Sequence, residues 1–132
     1  MTTRNDILQN LRELQIGDIS QESSSEEIFQ NSVLRPILKI QNDLLIAIFI
    51  EYCIKQKSTF FKLTINKKLE YIEQNIQRDM KFRDFLKGII IAFFTTTEYR
   101  LYIQNASNLN KRIITLLIER LKSQIQLIEI PI

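Results

Sequence analysis

The chain has 132 residues, of which 45% are apolar, and a net charge of +3. It has two glycines, two prolines, one cysteine and no histidine, which excludes a Ser-His-Asp or Cys-His nucleophile, a histidine-ligated metal site and an intrachain disulfide. Between Pro36 and Pro131 the only glycine is Gly88, so the glycine- and proline-containing turns that a small β-sandwich or barrel needs are nearly absent.

The first 25 residues are predicted to form an N-terminal arm with a short helix and a flexible linker. The helix follows Asp6, a residue type that is common in a first helical turn. Its apolar residues recur at helical spacing: Ile7, Leu8, Leu11 and Leu14. Residues 17–25 form the only stretch of low hydrophobicity and are interpreted as the linker. The arm is therefore either mobile or a docking helix, and residues 26–132 form the main domain.

Two helices are predicted in the first part of this domain. Capping-box spacing, either of Ser23 with Glu26 or of Ser24 with Glu27, begins a short helix. This helix is expected to end near Leu34, because Pro36 disfavours helical geometry in the residue before it. The following segment, residues 37–57, is apolar nearly all round and runs for about 20 residues without a breaker, which predicts a nearly fully buried helix.

Further helices follow toward the C-terminus. Thr64 is a suitable N-cap for an amphipathic helix, whose apolar residues lie at i, i+4, i+7 and i+11: Ile65, Leu69, Ile72 and Ile76. A second mostly buried helix is predicted over about residues 79–94. Thr95 and Glu98 have capping-box spacing, and Asn108 is expected to cap the last helix. The sequence therefore predicts a single all-α domain, a compact bundle of five or six helices with two of them nearly fully buried.

Charge is distributed unevenly along the chain. Residues 1–51 carry a net charge of −4 and residues 52–132 a net charge of +7, so the C-terminal part is expected to present a basic surface. The longest nearly apolar run, residues 44–54, is 11 residues long and contains Glu51, which is too short to cross a bilayer. With one cysteine and no stretch of signal-peptide type, a cytoplasmic location without a membrane partner is predicted.

Two sets of charged residues are candidates for binding a small ligand. Asp43 and Glu51 lie on one i, i+4 line of an apolar helix, either as an acid–base or metal-binding pair or as part of that helix's solvated stripe. Arg78, Asp79 and Arg83 belong to a mixed-charge cluster at a predicted helix start, where either an anion binds or the charges pair with one another. The structural interpretation is favoured in both cases. No catalytic residue, metal site or cofactor is predicted.

A third set of residues is basic and is a candidate surface for nucleic acid or an acidic partner. Its members flank two adjacent phenylalanines or lie in the last helix: Lys55, Lys57, Lys62, Lys67, Lys68, Lys111 and Arg112. Lysines interleaved with aromatic residues bind nucleic-acid backbone and bases. However, adjacent phenylalanines in so apolar a chain usually pack inward, and acidic residues lie among the cations. Nucleic-acid binding is therefore the less favoured use of this surface.

Four stretches resemble a group of small bacterial helical proteins, some of which carry the name glyoxalase. They are LRPILKIQNDLL (34–45), KKLEYI (67–72), QRD (77–79) and NLNKR (108–112). The resemblance covers about residues 29–128 and implies a helical fold, but it includes no motif tied to a reaction. Glyoxalase metal sites use histidine ligands, which this chain lacks. No catalytic residue is therefore carried over, and the balance is against an enzyme.

The C-terminal residues add exposed apolar surface in the predicted arrangement: Leu127, Ile128, Ile130 and Ile132. Such a surplus is typical of a surface that covers another subunit. The leading hypothesis is a non-catalytic interaction module that forms homo-oligomers through its central and C-terminal helices. Binding of nucleic acid or an acidic partner is the alternative, and a small-ligand binder or an enzyme without histidine chemistry is the third. Cys53 is interpreted as an inert core residue.

Overall fold

Helices succeed one another along the chain, and the residues that the structure describes contain no strand. The structure is a computed structural model that describes residues 3–13 and 24–130. The helices are α1 Arg4–Glu13, α2 Ser25–Phe29, α3 Arg35–Ile40, α4 Asn42–Lys55, α5 Ile65–Arg78, α6 Met80–Ile91, α7 Thr96–Gln104 and α8 Ala106–Ser123. The prediction of an all-α fold is confirmed. The predicted linker lies outside the described residues as far as residue 23.

The helix predicted to end near Leu34 continues through Pro36, so this boundary was wrong. A π-helical turn, Gln30–Leu34, joins α2 to α3 without interruption. Arg35 keeps helical angles, and its N–H donates to the carbonyl of Gln30, five residues back. Proline has no N–H to donate, and in a regular α-helix its ring contacts the carbonyl four residues back. The chain nevertheless stays helical through Pro36, which directly follows the π-turn and Arg35. Counted with α2 and α3 as one helix, the described residues form seven helices rather than five or six.

The long apolar helix predicted over residues 37–57 is divided in two at Gln41, whose φ and ψ are −87° and 3°. Polar contacts hold the chain at this break. The Gln41 side-chain amide lies 3.4 Å from the carbonyl of Ile89, and the Asn42 amide donates to the side chain of Gln124 at 3.2 Å. The chain therefore breaks between α3 and α4 at a point where Ile89 of α6 and Gln124, the residue after α8, each supply a hydrogen-bond acceptor.

Side-chain caps begin several helices at the predicted residues. The hydroxyls of Ser24 and Thr64 accept from backbone N–H groups at 3.2 and 3.3 Å. Thr95 and Glu98 form a complete capping box at the start of α7. The exception is α8, which begins two residues before the predicted cap, Asn108, and has no side-chain cap among the described residues. Asn108 lies inside α8, where its amide donates to the side chain of Asn105 at 3.0 Å and to the carboxylate of Glu26 at 3.2 Å.

The core is centred on α8, which packs against α3, α4, α5, α6 and α7. Its buried residues are Leu109, Ile113, Leu116, Leu117, Ile118 and Leu121. The two helices predicted to be nearly fully buried are less buried than expected. Leu44 and Ile54 of α4 keep 49% and 45% of their surface exposed, and Phe85 of α6 keeps 56%. Phe49 and Tyr52 of α4 and Phe82 of α6 form an aromatic cluster, in which the ring centroids of the stacked Tyr52 and Phe82 are 3.8 Å apart.

Candidate functional site

The residues predicted as a small-ligand site lie at separate places in the described part of the chain. Asp43 is exposed near the start of α4, and Arg78 is exposed at the end of α5. Glu51 is also exposed, and its carboxylate lies 4.0 Å from the ammonium group of Lys55. A pair this open contributes little to stability. These three residues are therefore ordinary solvent-exposed surface residues.

Asp79 and Arg83 have roles in local structure. One carboxylate oxygen of Asp79 caps α6 by accepting from the N–H of Phe82 at 3.1 Å, and the other accepts from the hydroxyl of Tyr52 at 2.8 Å. These two bonds hold the pKa of Asp79 below its usual value, whereas burial and the Asp79 carboxylate raise the pKa of Tyr52. Arg83 donates to the carbonyl of Gln77 at 2.8 Å, near the end of α5. Both residues thus stabilise the α5–α6 junction.

The predicted basic surface is divided between two parts of the molecule. Five of its lysines lie at the end of α4, in the following turn or in the first turn of α5: Lys55, Lys57, Lys62, Lys67 and Lys68. Lys68 lies over the ring of Phe60 at 5.5 Å, and that ring is fully buried. Phe60 is therefore unable to stack on a nucleic-acid base.

The other two basic residues, Lys111 and Arg112, line a groove along α8. Two adjoining cavities of about 350 and 280 Å³ share Arg35, Leu116 and Glu119. Together they are lined by Glu26, Gln30, Arg35, Leu38, Asn108, Lys111, Arg112, Thr115, Leu116, Glu119, Arg120 and Ser123. Arg35 was not among the predicted basic residues, because no local signal could place it beside a helix more than 70 residues later in the chain. We call this surface the α8 groove.

Arg112 is held in place within the α8 groove. Its guanidinium donates to the side chain of Gln30 at 2.9 Å and to the carboxylate of Glu26 at 3.3 Å. The amide of Asn105 and the Arg112 charge hold the pKa of Glu26 below its usual range. Gln30 opens the π-helical turn, a feature that is frequent at functional sites. The groove therefore combines a fixed guanidinium with an unusual backbone segment.

A second groove, between α4 and α6, is apolar and has a volume of about 380 Å³. Its lining residues are Ala47, Ile48, Glu51, Tyr52, Lys55, Phe82 and Phe85. On α4 these positions follow the spacing i, i+1, i+4, i+5 and i+8, which places them on one helical face. We call this surface the α4–α6 groove. The stacked rings of Tyr52 and Phe82 form part of it, while Glu51 and Lys55 supply its charges.

The C-terminal apolar residues are only partly available as an interface. Ile128 is fully buried, whereas Leu127 and Ile130 are exposed. Ile132 lies outside the described residues. Cys53 is buried, and burial raises the pKa of its thiol to about 11. Since the thiolate is the reactive form of cysteine, this side chain is unsuited to nucleophilic chemistry near neutral pH.

Among the described residues, no three side chains of cysteine, aspartate or glutamate come close enough together to hold a metal ion. None of the described helices has both the length and the apolar character that spanning a membrane requires. No protein-family model, curated protein or solved structure matches the chain. The resemblance to small bacterial helical proteins therefore stays a prediction.

Proposed function

We propose that this protein is a non-catalytic interaction module of the cytoplasm that self-associates through the α4–α6 groove. The observation that carries the proposal is Phe85, whose ring lines the groove with 56% of its surface exposed. A single exposed apolar residue is ordinary, but Ala47 and Ile48 continue the apolar surface onto α4. A contiguous apolar surface with a polar rim is typical of a protein–protein interface.

A second copy of the chain is the occupant that the charges favour. Glu51 and Lys55 place one carboxylate and one ammonium group on the same rim. In a two-fold symmetric pair each surface meets itself, so Lys55 of one protomer can approach the partner's Glu51. A strongly acidic or strongly basic partner would place a like charge against one of these two groups. Self-association therefore satisfies both charges of the rim.

The dimensions of the surface also fit a helical partner. From Leu44 to Lys55 the exposed face of α4 extends for about 16 Å at the rise of an α-helix. A stable interface buries about 800 Å² on each partner. Leu44 lies one turn before Ile48 and is 49% exposed, so it extends the apolar face beyond the groove. The α4 and α6 faces together are thus long enough to supply the centre of an interface.

Size-exclusion chromatography with light scattering tests the proposal on the full chain. The unmodified protein is expected to be a dimer at micromolar concentration and Phe85→Asp a monomer with an unchanged helical circular dichroism spectrum. The matched control is Ile65→Asp, since Ile65 is 66% exposed and lies outside the groove. This control should stay dimeric. A monomeric unmodified protein, or a dimeric Phe85→Asp variant, would contradict the proposal.

Exchange of the rim charges tests the symmetric arrangement. Either Glu51→Lys or Lys55→Glu alone places like charges across the pair and is expected to weaken the dimer. The double exchange restores opposite charges and is expected to recover most of the affinity. Sedimentation equilibrium at low salt measures all three dissociation constants, because surface charge pairs are screened at high salt. Additive weakening in the double variant would show that these two groups do not meet.

The α8 groove supports a second candidate function, which is binding of an acidic protein segment. Within the described residues, no ion pair engages Arg35, Lys111 or Arg120. All three line the groove, whereas its leucines, Leu38 and Leu116, are almost fully buried. Glu119 lies among these cations and would repel a continuous phosphate backbone. A short acidic segment has separate carboxylates that can avoid Glu119, so it fits the groove better than a continuous nucleic-acid backbone does.

Fluorescence anisotropy separates these two kinds of partner. A labelled acidic amphipathic peptide and a single-stranded oligonucleotide of equal charge are titrated at low salt with the unmodified protein. The peptide is expected to bind more tightly, and a variant with Arg35→Gln and Arg120→Gln is expected to lose that binding. Tighter binding of the oligonucleotide, or full peptide binding by the double variant, would refute this second candidate.

A further inference from the structure

Helix α1 is attached to the junction between α6 and α7 by polar side chains. The guanidinium of Arg4 donates to the carbonyls of Ala92 and Phe94 at 2.6 and 2.8 Å. Asn5 and Thr96 exchange two hydrogen bonds of 2.9 and 3.2 Å. The acceptors follow the end of α6, where carbonyl groups lack partners within the helix. The first turn of α1 thus supplies the hydrogen bonds that the end of α6 lacks.

The other end of α1 is held by a buried ion pair. The guanidinium of Arg12, a residue that is 3% exposed, donates to the carboxylate of Glu98. Glu98 also accepts from the N–H of Thr95 at 2.8 Å as part of the capping box of α7. Leu8 is the buried apolar residue of α1, whereas Ile7 and Leu11 are exposed. The attachment of α1 therefore depends strongly on polar contacts.

The docked α1 completes a cavity of about 370 Å³ at this junction. Its lining residues are Arg4, Ile91, Phe94, Thr95, Thr96, Tyr99 and Arg100. The described lining residues include two arginines and no acidic residue. They share none of their members with the α4–α6 groove. The cavity is thus a cationic site with an apolar wall, separate from the proposed interface.

The two guanidinium groups have different degrees of freedom. Arg4 is fixed by its two carbonyl acceptors, so its remaining N–H groups are oriented before a ligand arrives. Arg100 is exposed on α7 and can move toward a bound anion. Guanidinium groups bind carboxylates and phosphates with paired, charge-assisted hydrogen bonds. The cavity therefore offers one fixed and one adjustable anion-binding group.

The remaining lining residues indicate that the ligand has an apolar body. Ile91 is half-buried and the ring of Tyr99 is about half exposed, so these two side chains supply the apolar contacts, whereas Phe94 is almost fully buried beneath the cavity. The start of α7 is not the source of the site, because the N–H groups of Thr96 and Glu98 already donate to Asn5 and Thr95. The anion-binding groups are the two arginine side chains.

We propose that this cavity binds a small organic anion that joins a carboxylate or phosphate group to a planar apolar body. Arg4 belongs to α1, so a ligand that contacts it binds the docked arrangement of α1 more tightly than the detached one. By linkage, the ligand then stabilises the docked arm. The site is therefore a ligand-dependent lock on α1, and it goes beyond self-association through the α4–α6 groove.

Binding is tested by isothermal titration and NMR with four probes: phenyl phosphate, benzoate, inorganic phosphate and neutral benzyl alcohol. At least one aromatic anion is expected to bind about tenfold more tightly than benzyl alcohol, since a hydrogen bond to a charged group contributes about that factor. It is also expected to bind more tightly than inorganic phosphate, which has the charge but lacks the apolar body. Tighter binding of phenyl phosphate assigns a phosphate ester, and tighter binding of benzoate assigns a carboxylate. Equal binding of benzyl alcohol, or no binding of either aromatic anion at millimolar concentration, would overturn the proposal.

Two variants and a second measurement locate the site. Arg100→Gln is expected to weaken binding of the preferred anion about tenfold, whereas Arg78→Gln, an exposed arginine on α5, should have no effect. The anion should also slow amide hydrogen exchange in α1 of the unmodified protein and do so less in Arg100→Gln. Unchanged affinity in Arg100→Gln, or binding without slower exchange in α1, would contradict the assigned site. Neither variant removes a contact between α1 and the bundle that the structure describes, so loss of the arm does not confound the comparison.

Discussion

Replacement of Arg12 by methionine is expected to weaken the docking of α1 while the rest of the bundle stays folded. Methionine keeps much of the apolar stem of arginine but removes the guanidinium. The carboxylate of Glu98, which is also largely buried, then keeps the Thr95 N–H as a hydrogen-bond donor but has no counter-charge. The change therefore removes a buried ion pair without deleting the whole side chain.

The size of the effect follows from the burial of this pair. Breaking a buried ion pair by removing one partner costs about 3–5 kcal/mol. The other contacts of α1 still favour docking after the substitution. Burial of Leu8 contributes about 2 kcal/mol, and the hydrogen bonds of Arg4 and Asn5 contribute about 1 kcal/mol each. Even the lower estimate of the loss reduces the docking equilibrium constant about a hundredfold. Because α1 has one buried apolar residue, the loss falls on local docking rather than on global stability.

Hydrogen exchange monitored by mass spectrometry measures this local effect. Peptides that cover residues 4–13 should exchange about a hundredfold faster in Arg12→Met, because exchange follows the open population. Peptides from α8 should be unchanged. Arg78→Met is the matched control, since Arg78 is exposed on α5. Protection of α1 equal to that of the unmodified protein would refute the argument, and so would a uniform loss of protection throughout the bundle.

Four further predictions concern stability and reactivity. Phe49→Ala, which removes a fully buried ring from the aromatic cluster, should lower the free energy of unfolding in urea by about 3–5 kcal/mol. Gly88→Ala should raise the same free energy by about 0.5–1 kcal/mol, because Gly88 lies within α6 and an added Cβ meets no atom within 4 Å. Asp79 has a lowered pKa in the folded protein, so its stabilising effect is present above its unfolded pKa and is lost as the pH falls through the folded value. Urea titrations between about pH 5 and about pH 2 should therefore show a smaller loss of stability in Asp79→Asn than in the unmodified protein. Cys53, with a pKa raised to about 11, should not react with a disulfide reagent at mildly alkaline pH until urea unfolds the protein, and rapid reaction of the native protein would refute its burial.

The helix caps could be predicted because their chemistry is local. A serine or threonine at an N-cap bonds to an N–H two or three residues later, whatever packs around it. Ser24, Thr64 and Thr95 therefore cap their helices as expected. Asn108 is not a cap because α8 begins at Ala106, so Asn108 lies inside the helix, where its amide donates to the side chain of Asn105 and to the carboxylate of Glu26. Local spacing cannot reveal a partner from another helix.

The path of the chain at Pro36 shows a different limit. The rule that disfavours helical geometry before proline assumes an α-helical turn. The π-turn changes the hydrogen-bond spacing so that Arg35 bonds to the carbonyl of Gln30, and the helix continues. The continuous helix buries Val33, Leu34 and Ile37 against the rest of the bundle. Tertiary packing thus decided a boundary that residue preferences alone placed wrongly.

Burial could be predicted in amount but not in location. A helix that is apolar all round, such as α4, was expected at the centre, yet the amphipathic α8 contacts the most neighbours and has six buried residues. Position in a bundle depends on which helices surround an element, and the sequence of that element does not contain this information. The apolar residues of α4 and α6 that do not reach the core, such as Leu44 and Phe85, are instead exposed. They support the proposed interface.

The uneven charge of the sequence produces a smaller basic surface than its totals indicate. Glu26, from the acidic N-terminal part, pairs with Arg112, and Lys122 pairs with Glu73 at 3.0 Å. The lysines around the buried Phe60 lie on other elements than the α8 groove. Three cations of that groove take part in no described ion pair: Arg35, Lys111 and Arg120. Each phosphate contact contributes about one unit to the slope of log affinity against log salt. A nucleic acid bound in this groove would therefore show a slope of no more than about 3. Such a slope is too shallow for tight binding through backbone contacts. The small number of cations therefore favours an acidic protein segment as the partner.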